Sequence, residues 1–90
     1  MKRWLVSLFW VLLCASHTAS ALEINQANEA ELDSLKGMGP SLSAKVLKAR
    51  AQGPFQSWAD LMQRVSGVGR AKAKAFSDQG LTVNGQTLKP

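Results

Sequence analysis

The tripeptide Gly37-Met38-Gly39 recurs thirty positions later as Gly67-Val68-Gly69, each time between two runs with helical spacing of apolar residues. A glycine on either side of one apolar residue predicts a backbone that turns tightly, reaches positive φ and leaves its amides uncovered. Around each tripeptide the pattern is the same: a capped helix, the glycine turn, then a second helix. Superimposing Gly39 on Gly69 sets Leu35 on Val65, Met38 on Val68, Ser43 on Ala73 and Val46 on Phe76. One G-x-G triplet occurs by chance, but two in register with matching small and apolar positions define an internal repeat.

Four short helices are expected. Asn28 caps the first, with Glu31 completing a capping box and Leu32 and Leu35 on its apolar side. Pro40 opens the second, where its missing N–H does no harm. That helix runs to about Arg50, with Leu42, Val46, Leu47 and Ala49 inward and Ser41, Lys45 and Lys48 outward. Gln52-Gly53-Pro54 breaks the pattern and Phe55 anchors the connector. Ser57 caps the third helix, with Asp60 three residues on and Trp58, Leu61, Met62 and Val65 facing the interior. The fourth spans Arg70 to about Ser77 and ends at Gly80. Leu81 and Val83 are candidates to dock back, and residues 84–90 read as a flexible tail. The fold class expected is all-α, with the paired unit over residues 22–83.

The first 21 residues follow the pattern of a secretory signal: Lys2 and Arg3, the apolar run Leu5 to Leu13, then Ala19-Ser20-Ala21 as a small-x-small cleavage site. A membrane anchor needs about 18 apolar residues, and this run stops at Cys14. Leu13 is too large to precede a lipid-modified cysteine. Cleavage after Ala21 removes Cys14 and His17, the only cysteine and the only histidine. The remaining residues 22–90 then carry no thiol and no imidazole, and their carboxylates form no metal-ligand cluster. An enzyme is not expected from such a chain.

Charge is uneven. Residues 22–34 carry Glu23, Glu29, Glu31 and Asp33 and no base. Residues 36–74 carry Lys36, Lys45, Lys48, Arg50, Arg64, Arg70, Lys72 and Lys74 against Asp60 alone, a net charge of +7 around both glycine turns. One-sided charge there favours an anionic partner such as a phosphate backbone. A turn that ends where a helix begins aims open N–H groups and the positive end of the helix dipole outward, and glycine lets a phosphate oxygen come close. Backbone amides and lysines read phosphate and not bases, so they hold a duplex without specifying its sequence. Trp58 and Phe55 are single aromatics at helix and connector positions and are taken as core, not as stacking platforms.

The residues Ile24-Asn25 through Asn28-Glu29-Ala30-Glu31-Leu32, the run from Leu35 to Val46, Gly53-Pro54-Phe55, Trp58-Ala59-Asp60-Leu61 and the run from Ser66 to Ala73 resemble the paired helix-hairpin-helix domain of ComEA-type competence proteins. The resemblance covers about residues 23–83. It implies sequence-independent binding of double-stranded DNA in the periplasm, a role in drawing transforming DNA inward, and uptake-machinery proteins as further partners. It implies two phosphate-binding hairpins, Gly37, Met38 and Gly39 with Gly67, Val68 and Gly69. It points also to the basic residues after them, Lys45, Lys48, Arg70, Lys72 and Lys74. No cofactor is expected, although hairpins of this type can hold a monovalent cation on their carbonyls. Lys36 stands where relatives often have proline, and Arg70 replaces the proline-type opening that Pro40 keeps; both add charge. The rival reading is a secreted protein-docking module, since helical pairs can lose DNA contacts.

Overall fold

The computed structural model describes residues 21–89. The signal sequence expected over residues 1–21 lies outside the described residues except for Ala21. In chain order the elements are β1 (Leu22–Glu23), α1 (Glu29–Asp33), α2 (Gly39–Ala51), α3 (Trp58–Arg64), α4 (Arg70–Asp78) and β2 (Leu81–Thr82).

Local chemistry sets the helix starts. Asn28 Oδ1 accepts from the Glu31 amide at 2.8 Å, and Glu31 Oε1 accepts from the Asn28 amide at 2.9 Å, the reciprocal box the sequence predicts. Ser57 Oγ accepts from the Asp60 amide at 3.1 Å in the same role for α3. No side chain caps α2 or α4.

The helices close over one core. Leu32, Val46, Phe55, Leu61, Val65, Phe76 and Leu81 are almost fully buried, and each contributes roughly 1.5–3 kcal/mol by leaving water. All four residue pairs matched by the thirty-residue shift are buried: Leu35 with Val65, Met38 with Val68, Ser43 with Ala73, Val46 with Phe76. The repeat therefore shares its inward positions as well as its sequence. Leu47, Ala49 and Met62 sit at the core margin, half-buried.

The all-α expectation is corrected by a small sheet. Strands β1 and β2 pair in parallel, with Leu22 opposite Leu81 and Glu23 opposite Thr82. The Leu22 amide donates to Gly80 O at 2.8 Å and the Ile24 amide to Thr82 O at 3.0 Å, joining the two ends of the domain. The extended chain after α4 supplies a partner for backbone groups that would otherwise be buried without one.

Residues 84–89, expected as part of a flexible tail, are hydrogen-bonded to the domain. Trp58 Nε1 donates to Gln86 O at 2.9 Å, the Leu88 amide to Ser77 Oγ at 2.9 Å, and Asn84 Nδ2 to Phe55 O and Gln56 O at 3.2 and 3.0 Å. Asn84 takes a φ of +53°, which asparagine tolerates, and turns the chain back so that Val83 and Gln86 bridge. The Glu23 carboxylate accepts from Thr82 Oγ1 and from the amides of Asn84 and Gly85 at 2.8–3.0 Å. Burial opposes its ionisation. The donors from Gly85, Asn84, Thr82 and Asn25 outweigh that and hold its carboxyl below the usual value.

Candidate nucleic-acid interface

Both glycine turns begin with the same bond: the Met38 amide donates to Leu35 O at 3.1 Å and the Val68 amide to Val65 O at 3.2 Å. Met38 and Val68 are 2% and 3% exposed, so their side chains face the core and only the backbone faces outward. Gly37, Gly39 and Gly67 take φ of +92°, +64° and +100°. Gly69 departs from the expectation of positive φ: at −95° and ψ −171° it is extended and serves as the N-cap of α4. Its carbonyl accepts from the Ala73 amide at 2.9 Å, the first bond of α4.

Each turn is braced by the other half of the molecule. At the first, Lys72 Nζ donates to Gly37 O at 2.7 Å, the Lys36 amide donates to Gln79 Oε1 at 2.8 Å, and Gln79 Nε2 donates back to Lys36 O at 3.1 Å. At the second, Leu42 lies so close beneath Gly67 that a Cβ there would stand 3.3 Å from Leu42 Cδ1, and Lys45 Nζ donates to Ser66 Oγ at 3.3 Å. Nothing in the local sequence around Gln79 or Ser66 marked them, because their partners lie 43 and 21 residues away.

The basic residues divide into two sets. Arg50 and Arg64 are turned inward. Arg50 Nη1 donates to Ile24 O and Ala27 O at 3.0 and 2.6 Å. Arg64 donates to Ala49 O, Gly53 O and Pro54 O at 2.6, 2.8 and 3.1 Å, pairs with Asp60 at 3.1 Å, and stacks over the Phe55 ring at 4.5 Å from its centroid. Arg50 thus clips the end of α2 to the segment between β1 and α1, and Arg64 clips the connector to the ends of α2 and α3; the Gln56 amide with Arg64 keeps the Asp60 carboxyl below its ordinary value.

Lys36, Lys45, Lys48, Arg70, Lys72 and Lys74 remain exposed. Lys74 shares its charge with Asp78 at 2.9 Å, and Arg70 Nη2 donates to Lys89 O at 2.9 Å. Of the residues named from the sequence, Gly37, Met38, Gly39 and Lys72 are gathered at the first turn. Gly67, Val68, Gly69 and Arg70 form the second, and Lys45 reaches it from α2.

With no capping side chain at α2 or α4, both helices leave first-turn N–H groups and the positive ends of their dipoles beside the glycines. That arrangement accepts an oxyanion on backbone. The carbonyl of Gly37 faces the Lys72 ammonium, a charge supplied by the chain at one of the carbonyls where the resemblance allows a monovalent cation. Among the described residues no three His, Cys, Asp or Glu side chains are grouped to hold a metal ion, and no helix is long and apolar enough to cross a membrane.

No curated protein matches the chain, and no solved structure matches it. A family model described as the helix-hairpin-helix motif matches residues 17–75, about two-thirds of the chain, and takes in both glycine turns. That motif points to nucleic-acid binding in general. With its two hairpins, buried Met38 and Val68 and open helix starts, the chain belongs to the helix-hairpin-helix family.

Proposed function

We propose that the protein binds double-stranded DNA by its phosphates, without regard to base sequence, and that it does so in the periplasm as part of DNA uptake in natural transformation. The observation that carries the binding mode is the inward burial of Met38 and Val68, which leaves each hairpin only backbone and neighbouring cations to offer a ligand. Such groups neutralise phosphates and carry no information about bases. The hairpin residues Gly37, Gly39, Gly67 and Gly69 let the strands approach. Lys45, Lys48, Arg70 and Lys72 supply charge, and Lys74 less, because Asp78 offsets it. The protein acts by binding, with no catalytic step, and takes uptake-machinery proteins as further partners.

Export rests on the basic start, the apolar run and Ala19-Ser20-Ala21. Intact-mass measurement of a periplasmic extract is expected to give a species beginning at Leu22; a full-length species in the membrane fraction contradicts it. For the binding itself, the test is retention of a labelled duplex by the protein purified from cells expressing the full chain. The expected result is retention that unlabelled DNA of any sequence competes away. A well-folded protein that retains no duplex overturns the reading in favour of a protein-docking module.

A further inference from the structure

A cleft of about 280 Å³ lies beside the second hairpin, between α2 and the end of α3, lined by Lys45, Lys48, Gln52, Arg64, Val65 and Ser66 among others. Lys45 and Lys48 stand three residues apart on one face of α2, and Gln52, the residue that caps its C-terminal end, follows four residues on along the same side. Lys45 Nζ donates to Ser66 Oγ at 3.3 Å. An ammonium has no lone pair to accept a bond in return, so the Ser66 hydroxyl proton remains available to a ligand. Arg64 is committed elsewhere, its guanidinium bonded to three carbonyls and paired with Asp60. Among the described residues neither Lys45 nor Lys48 forms an ion pair.

We propose that this cleft seats a DNA phosphate beside the one held by the Gly67–Gly69 backbone, with the Lys45 and Lys48 ammonium groups and the Ser66 hydroxyl as donors. The proposal rests on the DNA-binding reading given above. Two cations and a hydroxyl suit an oxyanion with several acceptor oxygens, and the volume suits a hydrated phosphate. Within the repeat, the counterpart of Ser66 is Lys36 and that of Lys45 is Ala75. The first hairpin consequently has no equivalent of the Lys45–Ser66 pair. The two hairpins are unequal, and the second helix of the first motif serves the hairpin of the second.

The test is titration of one duplex at several salt concentrations with the protein purified from the full chain, with Lys48→Gln and with Ser66→Ala, each checked by thermal melting. Both positions are exposed, so both variants are expected to melt like the parent. Lys48→Gln is expected to make the log–log salt slope shallower by about 1, as one phosphate contact is lost. Ser66→Ala is expected to weaken binding about threefold to tenfold at every salt concentration while keeping the parental slope, because it removes a donor without charge. A parental slope in Lys48→Gln, or parental affinity in Ser66→Ala, overturns the cleft while the DNA reading stands. A parent that binds no duplex overturns both.

Discussion

Lys72 and Gly37 are 35 residues apart, yet the Lys72 ammonium donates to the Gly37 carbonyl at 2.7 Å. Shifted by thirty positions, Lys72 corresponds to Leu42, and Leu42 lies under Gly67 of the other hairpin. Each hairpin is thus supported by the second helix of the opposite motif, and the support is polar on one side and apolar on the other. This crossing explains why the two halves form one unit and why neither turn is expected to hold its shape alone. Lys72→Met keeps much of the stem and removes the bond to Gly37. Because the site is exposed, the expected loss of stability is no more than about 1 kcal/mol. Duplex affinity is expected to fall by a larger factor than that loss explains, read by comparing a melting curve with a titration.

The glycines of the two turns are not interchangeable. Gly67 sits at φ +100° with Leu42 beneath it, and Gly69 is extended with open space where a Cβ would go. Gly67→Ala is expected to cost about 1–2 kcal/mol or more in chemical denaturation, and Gly69→Ala, at an N-cap in extended backbone, only about 0.5–1 kcal/mol. If the Gly69 backbone meets phosphate, Gly69→Ala weakens DNA retention by a larger factor than this small loss of stability explains. Equal destabilisation by both substitutions contradicts the hairpin geometry.

Glu23 ties β1 to the turn after β2, and its carboxyl is held below its ordinary value of 4.5. A lowered folded-state value means that the ionised form stabilises the fold. This contribution is complete above the ordinary value and is lost as pH falls through the lowered one. The stability difference between the parent and Glu23→Gln is therefore expected to be largest near neutrality and to shrink on acidification below about pH 4.5. Denaturation at a series of pH values measures it, and a difference that grows as pH falls contradicts the assignment.

Truncation after Val83 removes the Gln86 carbonyl that receives the Trp58 indole N–H and the Asn84 contacts to Glu23 and Phe55. The shortened chain is expected to lose about 1–3 kcal/mol of stability, measured as a lower melting temperature. Unchanged melting shows the segment to be the free tail that its composition suggests. By comparison, Leu32→Ala empties a fully buried site and is expected to cost about 2–5 kcal/mol, with fold and DNA binding lost together.

What the sequence made legible was local. The caps Asn28 with Glu31 and Ser57 with Asp60, and the breaks at Gly53 and Gly80, depend on neighbours within a few residues, and each is found where residue type and spacing place it. The core matched between repeats was legible for the same reason. The β1–β2 pair was not, because two-residue strands have no periodicity and their partners lie 59 residues apart. Gly69 misled because its tripeptide resembles the first one, although the second glycines of the two turns take different backbone conformations. The inward turn of Arg50 and Arg64 was hidden because net charge counts cations without showing which carbonyls they meet. The same limit hid the placing of Lys45 against Ser66 of the other motif.

As proposed, the hairpins meet phosphate alone, and titration of the processed protein with two duplexes of unrelated sequence across a fourfold range of salt concentration decides it. With about 4 phosphates neutralised, affinity is expected to fall about a hundredfold over that range, along the same line for both duplexes. A marked preference for one duplex, or an affinity that does not respond to salt, overturns phosphate binding by the hairpins.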